Sequence, residues 1–285
     1  CAAHFRSVKK ITVALQIQRM LAERLDEKVH GIIALLHQFQ NNWQEVLYVQ
    51  LARSFGLHIN QHAFEMLALQ TPLSVLAKHK NNPLQIEALL FGQAGFLNDY
   101  FDEAYPLLLQ QEYNYLKKLH HLEGVSKGLW KFLRLRPANF PTIRIAQFAQ
   151  LIIQSAHLFS KIKDAVTLSE IEKLFAADVS PYWKTHYTFG EISAERDKHV
   201  GKAFIQTTII NAIVPTLFIY GRLQGNQEVC DRAIALLQKL PAEKNSILAK
   251  WLTLGFTVEN AADTQAILQL YNKYCIEKKC LQCGI

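Results

Sequence analysis

The 285-residue chain sets 31 lysines and arginines against 24 acidic residues, a formal charge of +7 with a pI near 9.1; half of it is hydrophobic and 19% charged. Five cysteines, an odd and small number, argue against a secreted disulfide framework and for a reducing, cytoplasmic setting. The basic excess permits a polyanionic partner such as nucleic acid without requiring one, and the apolar fraction can fill a substantial core.

Nearly every segment has helical periodicity and no strand pair with a hairpin turn appears, so the expected class is all-α. One domain over 1–285 is expected, with a two-lobe division near Glu123–Gly128 into 1–123 and 129–285. Phe5 to Phe39 is a long amphipathic pattern, in which Val13, Ile17, Met20, Leu21, Leu25 and Val29 trace one face. Asn42-Trp43-Gln44-Glu45 has the form of a capping box, and Gly56 is expected to stop the helix it opens. Helices follow near 61–70, 83–97, 102–121, 141–163, 200–223, 227–240, 245–254 and 261–275, with Thr167-Leu168-Ser169-Glu170 capping a short one that runs to about Ala177. Asn81-Asn82-Pro83 and Leu240-Pro241-Ala242 are turns. Thr185–His199 is the most polar, loop-like stretch and the segment expected to be most mobile. The longest apolar stretch, Ala203 to Tyr220, is interrupted by Gln206, Thr207, Thr208, Asn211 and Pro215 and lacks flanking basic asymmetry, so it reads as a buried core helix and no membrane partner is expected.

Two constellations carry chemistry. Trp130 to Arg144 places four basic residues in fifteen positions and then opens a helix, with Asn139 as the expected cap and Pro141 in the first turn. Unpaired amides and the positive end of the helix dipole, flanked by Arg134, Arg136 and Arg144, would make a phosphate or carboxylate pocket, and Gln147 continues the face of Arg144. The competing reading is that these arginines pin one helix to its neighbours. At the other end, Cys275, Cys280 and Cys283 have the spacing Cys-x4-Cys-x2-Cys. Two residues between thiolates let both sulfurs turn onto one ion or cluster, so a [4Fe–4S] cluster or zinc is the expected cofactor, with Lys278 and Lys279 offsetting the thiolate charge. Redox thiols and structural cysteines are the alternatives. No fourth cysteine follows, so a fourth ligand must come from elsewhere in the fold or from solvent. A first residue that is cysteine opens three readings: a lipid-modified N-terminus, a catalytic N-terminal thiol, or a chain cropped from a longer protein, of which the last is preferred.

Other signals are weaker. Gln265, Gln269 and Asn272 form a polar stripe leading to Cys275, read as a solvated face or a helix–helix hydrogen-bond seam. Tyr182-Trp183-Lys184-Thr185-His186-Tyr187 is compatible with base stacking, although packing is favoured. His120 and His121 are adjacent, face different directions on a helix and make a poor metal pair. Zincin, phosphate-loop, dinucleotide and serine-hydrolase motifs are missing from the sequence.

With these residues in view, the chain resembles the C-terminal portion of the bacterial family catalogued as domain of unknown function DUF2851. The resemblance rests on Glu87-Ala88-Leu89-Leu90-Phe91-Gly92-Gln93-Ala94-Gly95, on Arg134 to Arg144 with its Arg-Pro-x-Asn-Phe-Pro core, on Tyr182-Trp183-x-x-His186-Tyr187, and on the terminal Tyr274 to Cys283. It implies no established activity. It does imply that longer members carry a further N-terminal region loosely similar to a metal-dependent nuclease core, which would make this chain the accessory part of a nuclease-like protein; by that likeness Cys1 would join Cys275, Cys280 and Cys283 as the fourth ligand, with Cys230, inside a regular helical pattern, competing with it or being a small core residue. The expected function is a metal-binding helical module that engages nucleic acid or another phosphate-bearing partner. The alternatives are an enzyme whose metal keeps a position open, with Glu87, Gln93 or His186 in acid–base or orienting roles, and a helical scaffold without metal.

Overall fold

The structure, a computed structural model, describes residues 8–176 and 178–284. Among them are helices and turns but no strand, only isolated backbone bridges at His186–Ile192 and Pro241–Asn260, as the all-α expectation requires. Two units form: Cys1–Gln38 with Val214–Ile285, and Phe39–Ile213.

The first unit opens with α1, Lys10–Gln38, which buries Met20, Leu25 and Val29 of the expected face and extends it through Ile32, Leu35 and Leu36. Half-buried Val13, Ile17 and Leu21 lie along its margin.

The second unit contains α2 (Trp43–Phe55), α3 (Gln61–Gln70), α4 (Leu73–His79), α5 (Pro83–Gln93), α6 (Ala104–His120), α7 (Pro141–Gln154), α8 (Leu158–Asp164), α9 (Leu168–Lys173), α10 (Pro181–Thr185) and α11 (Lys202–Thr208). Asn42 caps α2, accepting from the amides of Gln44 (3.1 Å) and Glu45 (3.4 Å), but the expected box is not reciprocal. The Glu45 carboxylate accepts instead from the amides of Leu73 (3.1 Å) and Ser74 (3.2 Å), satisfying the first turn of α4, a helix that periodicity did not reveal. Gly56 ends α2 in an ordinary right-handed conformation; what demands glycine there is the Asn60 carbonyl oxygen, 2.4 Å from where a Cβ would stand. The helix expected over 83–97 stops at Gln93 because Gly95 (φ +76°) takes the left-handed turn, with Phe96 N bonded to Phe91 O (3.0 Å) and Gly95 N to Gly92 O (2.9 Å). The helix expected over 141–163 is two, broken at Ser155–His157, where His157 is left-handed (φ 53°) without any glycine or proline to announce it. Thr167 caps α9 through Glu170 N (3.2 Å), and that helix ends at Lys173; Ala177 is outside the described residues.

Glu123–Gly128 lies inside the second unit. Val125 N donates to Gln93 O at 2.7 Å, laying this stretch against the end of α5. The core here is aromatic: Phe148 of α7 meets Tyr48 and Phe55 of α2 at centroid distances of 5.5 and 5.0 Å, and fully buried Trp183 stacks on Phe91 at 4.8 Å.

After α11 the helical path widens into a π-turn, Ile209–Ile213, ahead of Pro215, which cannot donate to the carbonyl four residues earlier. Lys202–Leu223 is the one helix among the described residues long and apolar enough to cross a membrane, and 67% of its most apolar window is buried in the protein, as a core helix would be. The first unit resumes with α12 (Val214–Leu223), α13 (Gln227–Lys239), α14 (Ser246–Thr253) and α15 (Ala261–Leu270). Asn226, Asn245 and Asn260 cap the last three. Met20, Ala266, Leu270 and Tyr274 form one apolar cluster between α1 and α15.

Candidate functional site

The basic segment divides in two. Arg134 (left-handed, φ 65°) and Arg136 are exposed on the loop before α7 and make no ion pair among the described residues. Arg144 is buried. Phe140, not Asn139, occupies the cap position of α7, leaving that end without a side-chain cap. The Asn139 amide oxygen accepts from Arg144 Nη2 at 2.6 Å, the Gln147 oxygen accepts from Arg144 Nη1 at 3.0 Å, and the guanidinium lies 4.2 Å from the Phe204 ring centre. Burial pushes Arg144 down to about 10, so it stays charged at neutral pH, with no carboxylate partner among the described residues. Asn139, Arg144 and Gln147 therefore meet in an enclosed knot, while Arg134 and Arg136 face solvent.

Gln147 Nε2 continues the network, donating to the carbonyls of Lys198 (2.8 Å) and His199 (3.3 Å). Lys198 is buried and donates to the carbonyls of Trp183 (2.5 Å), Lys184 (2.9 Å) and His186 (3.0 Å), a cation placed at the C-terminal end of α10. It ties down the polar 185–199 stretch, which also bonds Ser193 N to Thr185 O (2.7 Å) and Arg196 N to Lys184 O (3.0 Å). Sequence reading missed Lys198 because a lysine in a polar loop looks solvated.

A second polar cluster joins α5, α6, α7 and α10. Glu87 is buried, and its carboxyl accepts from Tyr105, from Ser180 Oγ (3.2 Å) and from Gln150 Nε2 (3.2 Å). Desolvation pushes it up to about 7, against the opposing hydrogen bonds from Ser180 and Gln150. Glu103 behaves oppositely: the Tyr182 hydroxyl, then His186 and the Gly190 amide, hold it below the ordinary carboxylate range, although burial works the other way. His186 Nε2 lies 3.1 Å from Glu103 Oε1, and Tyr182 stacks on both His186 (3.9 Å) and Tyr105 (4.5 Å). The aromatic motif is thus used for packing. Gln93, its amide oriented to satisfy its neighbours, accepts from the Tyr113 hydroxyl (3.1 Å) and donates to the carbonyls of Gln70 (3.2 Å) and Glu123 (2.8 Å); it is a structural tie.

The cysteine segment belongs to the first unit. After the π-turn Tyr271–Cys275 the chain closes a Schellman arrangement, Lys279 N to Tyr274 O (2.8 Å) and Lys278 N to Cys275 O (3.2 Å), with Lys278 left-handed (φ 54°). A short 3-10 turn, Cys280–Gln282, then returns Cys283 to pack against the Met20–Tyr274 cluster. Cys275 and Cys280 are exposed and Cys283 is half-buried. Burial raises the Cys275 thiol, and the neighbouring Cys283 and Cys280 sulfurs raise it further, so the three sulfurs share one electrostatic neighbourhood. No three His, Cys, Asp or Glu side chains among the described residues are set as a ready metal-holding group. Cys1 is outside the described residues. Cys230 is a core residue of α13, its thiol donating to the Phe218 carbonyl at 3.5 Å. The stripe before Cys275 is a hydrogen-bond seam: buried Gln265 accepts from Arg24 (3.2 Å) and Lys28 (2.8 Å) and donates to Glu243 (2.5 Å).

Residues 1–246 match the family described as "Protein of unknown function (DUF2851)". The chain belongs to this family. Within the DUF2851 match, Glu87–Gly95, Arg134–Arg144 and Tyr182–Tyr187 are far apart in sequence and close in the fold. Glu87 reaches α10 through Ser180 and Tyr105, and Arg144 reaches it through Gln147 and Lys198. The cysteine segment lies beyond the DUF2851 match. No curated protein and no solved structure matches the chain.

Proposed function

We propose that this protein is a metal-binding helical module of a reducing compartment that engages nucleic acid or another phosphate-bearing partner, as the accessory part of a nuclease-like protein. Cys275, Cys280 and Cys283 would hold zinc or a [4Fe–4S] cluster, with Cys1 as the fourth ligand, and Arg134 and Arg136 would supply the phosphate contacts. The observation that carries the metal half is the placement of the Cys275 thiol beside the Cys283 and Cys280 sulfurs, which add to burial in raising it. A thiol raised by neighbouring sulfurs is relieved when a cation takes its proton's place, so binding releases protons and strengthens with pH. The phosphate half rests on two exposed arginines without carboxylate partners among the described residues, in a chain of charge +7.

The deciding experiment is elemental analysis with a visible absorption spectrum on the full chain prepared without oxygen, beside a variant carrying Cys275→Ser, Cys280→Ser and Cys283→Ser. Iron with a sulfur-to-iron charge-transfer band, absent from the variant, supports a cluster; zinc lost in the variant supports a zinc knuckle. Equal metal content in both proteins overturns the reading.

A second reading, acid–base chemistry in the second unit, has one observation behind it. Glu87 and Glu103 are pushed in opposite directions on either side of the Tyr105–Tyr182 stack, as an acid and a base would be. It has less support, because three protein donors already occupy the Glu87 carboxyl.

A further inference from the structure

His79 ends α4 and His120 ends α6, 41 residues apart in sequence, and their Nε2 atoms face each other at 2.7 Å. The rings are half-buried, with centroids 4.9 Å apart and planes at 79°. A chain of hydrogen bonds settles which nitrogen of His79 carries the proton. The Gln85 amide nitrogen donates to Glu112 Oε2 at 3.1 Å, which turns the amide oxygen toward His79 Nδ1 at 2.8 Å. That oxygen can only accept, so Nδ1 carries the hydrogen and Nε2 presents its lone pair toward His120. A carbonyl oxygen that accepts from the far nitrogen of an imidazole, itself fixed in place by a carboxylate, is the outer support typical of metal-ligating histidines.

We infer that His79 and His120 form a binding site for a divalent transition-metal ion such as zinc, nickel or copper, coordinated through both Nε2 atoms, with Gln85 and Glu112 orienting His79. Imidazole nitrogen suits these ions, and the remaining coordination positions are left to water or an exogenous ligand. With metal–nitrogen bonds of about 2.0–2.1 Å and a tetrahedral angle, the two nitrogens stand roughly 3.3 Å apart. The rings need to part by only about half an ångström from their present 2.7 Å. His120 moves its proton to Nδ1 by exchange with solvent, so coordination involves no net proton loss. Both imidazoles stand at helix C-terminal ends, where the negative end of the backbone dipole favours a cation. His121 itself is the left-handed cap of α6 (φ 51°) and is not part of the pair.

This site is independent of the cysteines. The test is a titration of zinc alone into the full chain, first unaltered and then with the three C-terminal cysteines replaced by serine, read by NMR of the His79 and His120 imidazoles. Zinc is expected to shift both imidazoles in both proteins, whatever the cysteines do. His120→Ala and the milder His120→Gln, checked for intact helicity, should abolish the His79 shift, and Gln85→Leu should weaken binding about tenfold. Imidazole signals unmoved by zinc would mean the pair is only a hydrogen bond, and undiminished binding in a folded His120→Gln protein would place the metal elsewhere. Either result overturns the site.

Discussion

Glu87 shows how burial turns a common residue into a pH-dependent one. Its folded-state value of about 7 lies above that of an unfolded chain, so the native state holds a proton that the unfolded state has released across the interval. The resulting stability is present at low pH and is lost as pH rises through about 7. Between about pH 5 and about pH 8 the protein should lose on the order of 3 kcal/mol of unfolding free energy from this group, and Glu87→Gln should flatten that slope. Denaturant unfolding at a series of pH values measures both, and parallel slopes would assign the titration to another group. The same scale explains what could be read in advance. Gln147 stands one turn beyond Arg144 on one helix face, so their contact followed from spacing. The partners of Glu87 come from residues 105, 150 and 180, and nothing local in the sequence points to them.

At the level of elements, glycine positions separate packing from propensity. Gly92 lets α5 and α6 approach so closely that a Cβ would stand 2.1 Å from the Tyr113 ring. Gly92→Ala should therefore cost about 3 kcal/mol, seen as a lower denaturation midpoint, because the ring is held by Gln93 and has little room to yield. Gly31, on the exposed face of α1, has nothing within 4 Å of its would-be Cβ. Gly31→Ala should raise stability by about 0.5–1 kcal/mol through helix propensity alone, and a loss there would show that α1 needs the flexibility. Helix starts were legible because Asn42, Asn82, Asn226, Asn245 and Asn260 accept from the first-turn amides that follow them. Ends were less so. Gly95 marks the end of α5, but the break before α8 depends on His157 adopting a left-handed conformation, which side-chain periodicity does not encode.

For the whole molecule, the charge of +7 becomes a functional quantity only if it is concentrated where a polyanion can reach. Binding of a DNA duplex should fall with salt, and Arg134→Ala and Arg136→Ala should each lower the salt slope by about one counterion. Arg144→Lys, inside its enclosed knot, should leave that slope unchanged, and equal slopes for all variants would remove the loop from the proposed interface. Composition, helical periodicity and capping residues by themselves determined the all-α class, most helix starts, and the family, because each depends on neighbours in the chain or on short motifs. The tertiary structure alone decided that Arg144 is enclosed and Arg134 and Arg136 exposed, that Glu45 caps α4, and that His120 pairs with His79 rather than His121. Those outcomes depend on which distant helices share a burial site, and the free energy of burying or hydrogen-bonding a polar group is set by partners that lie tens of residues away.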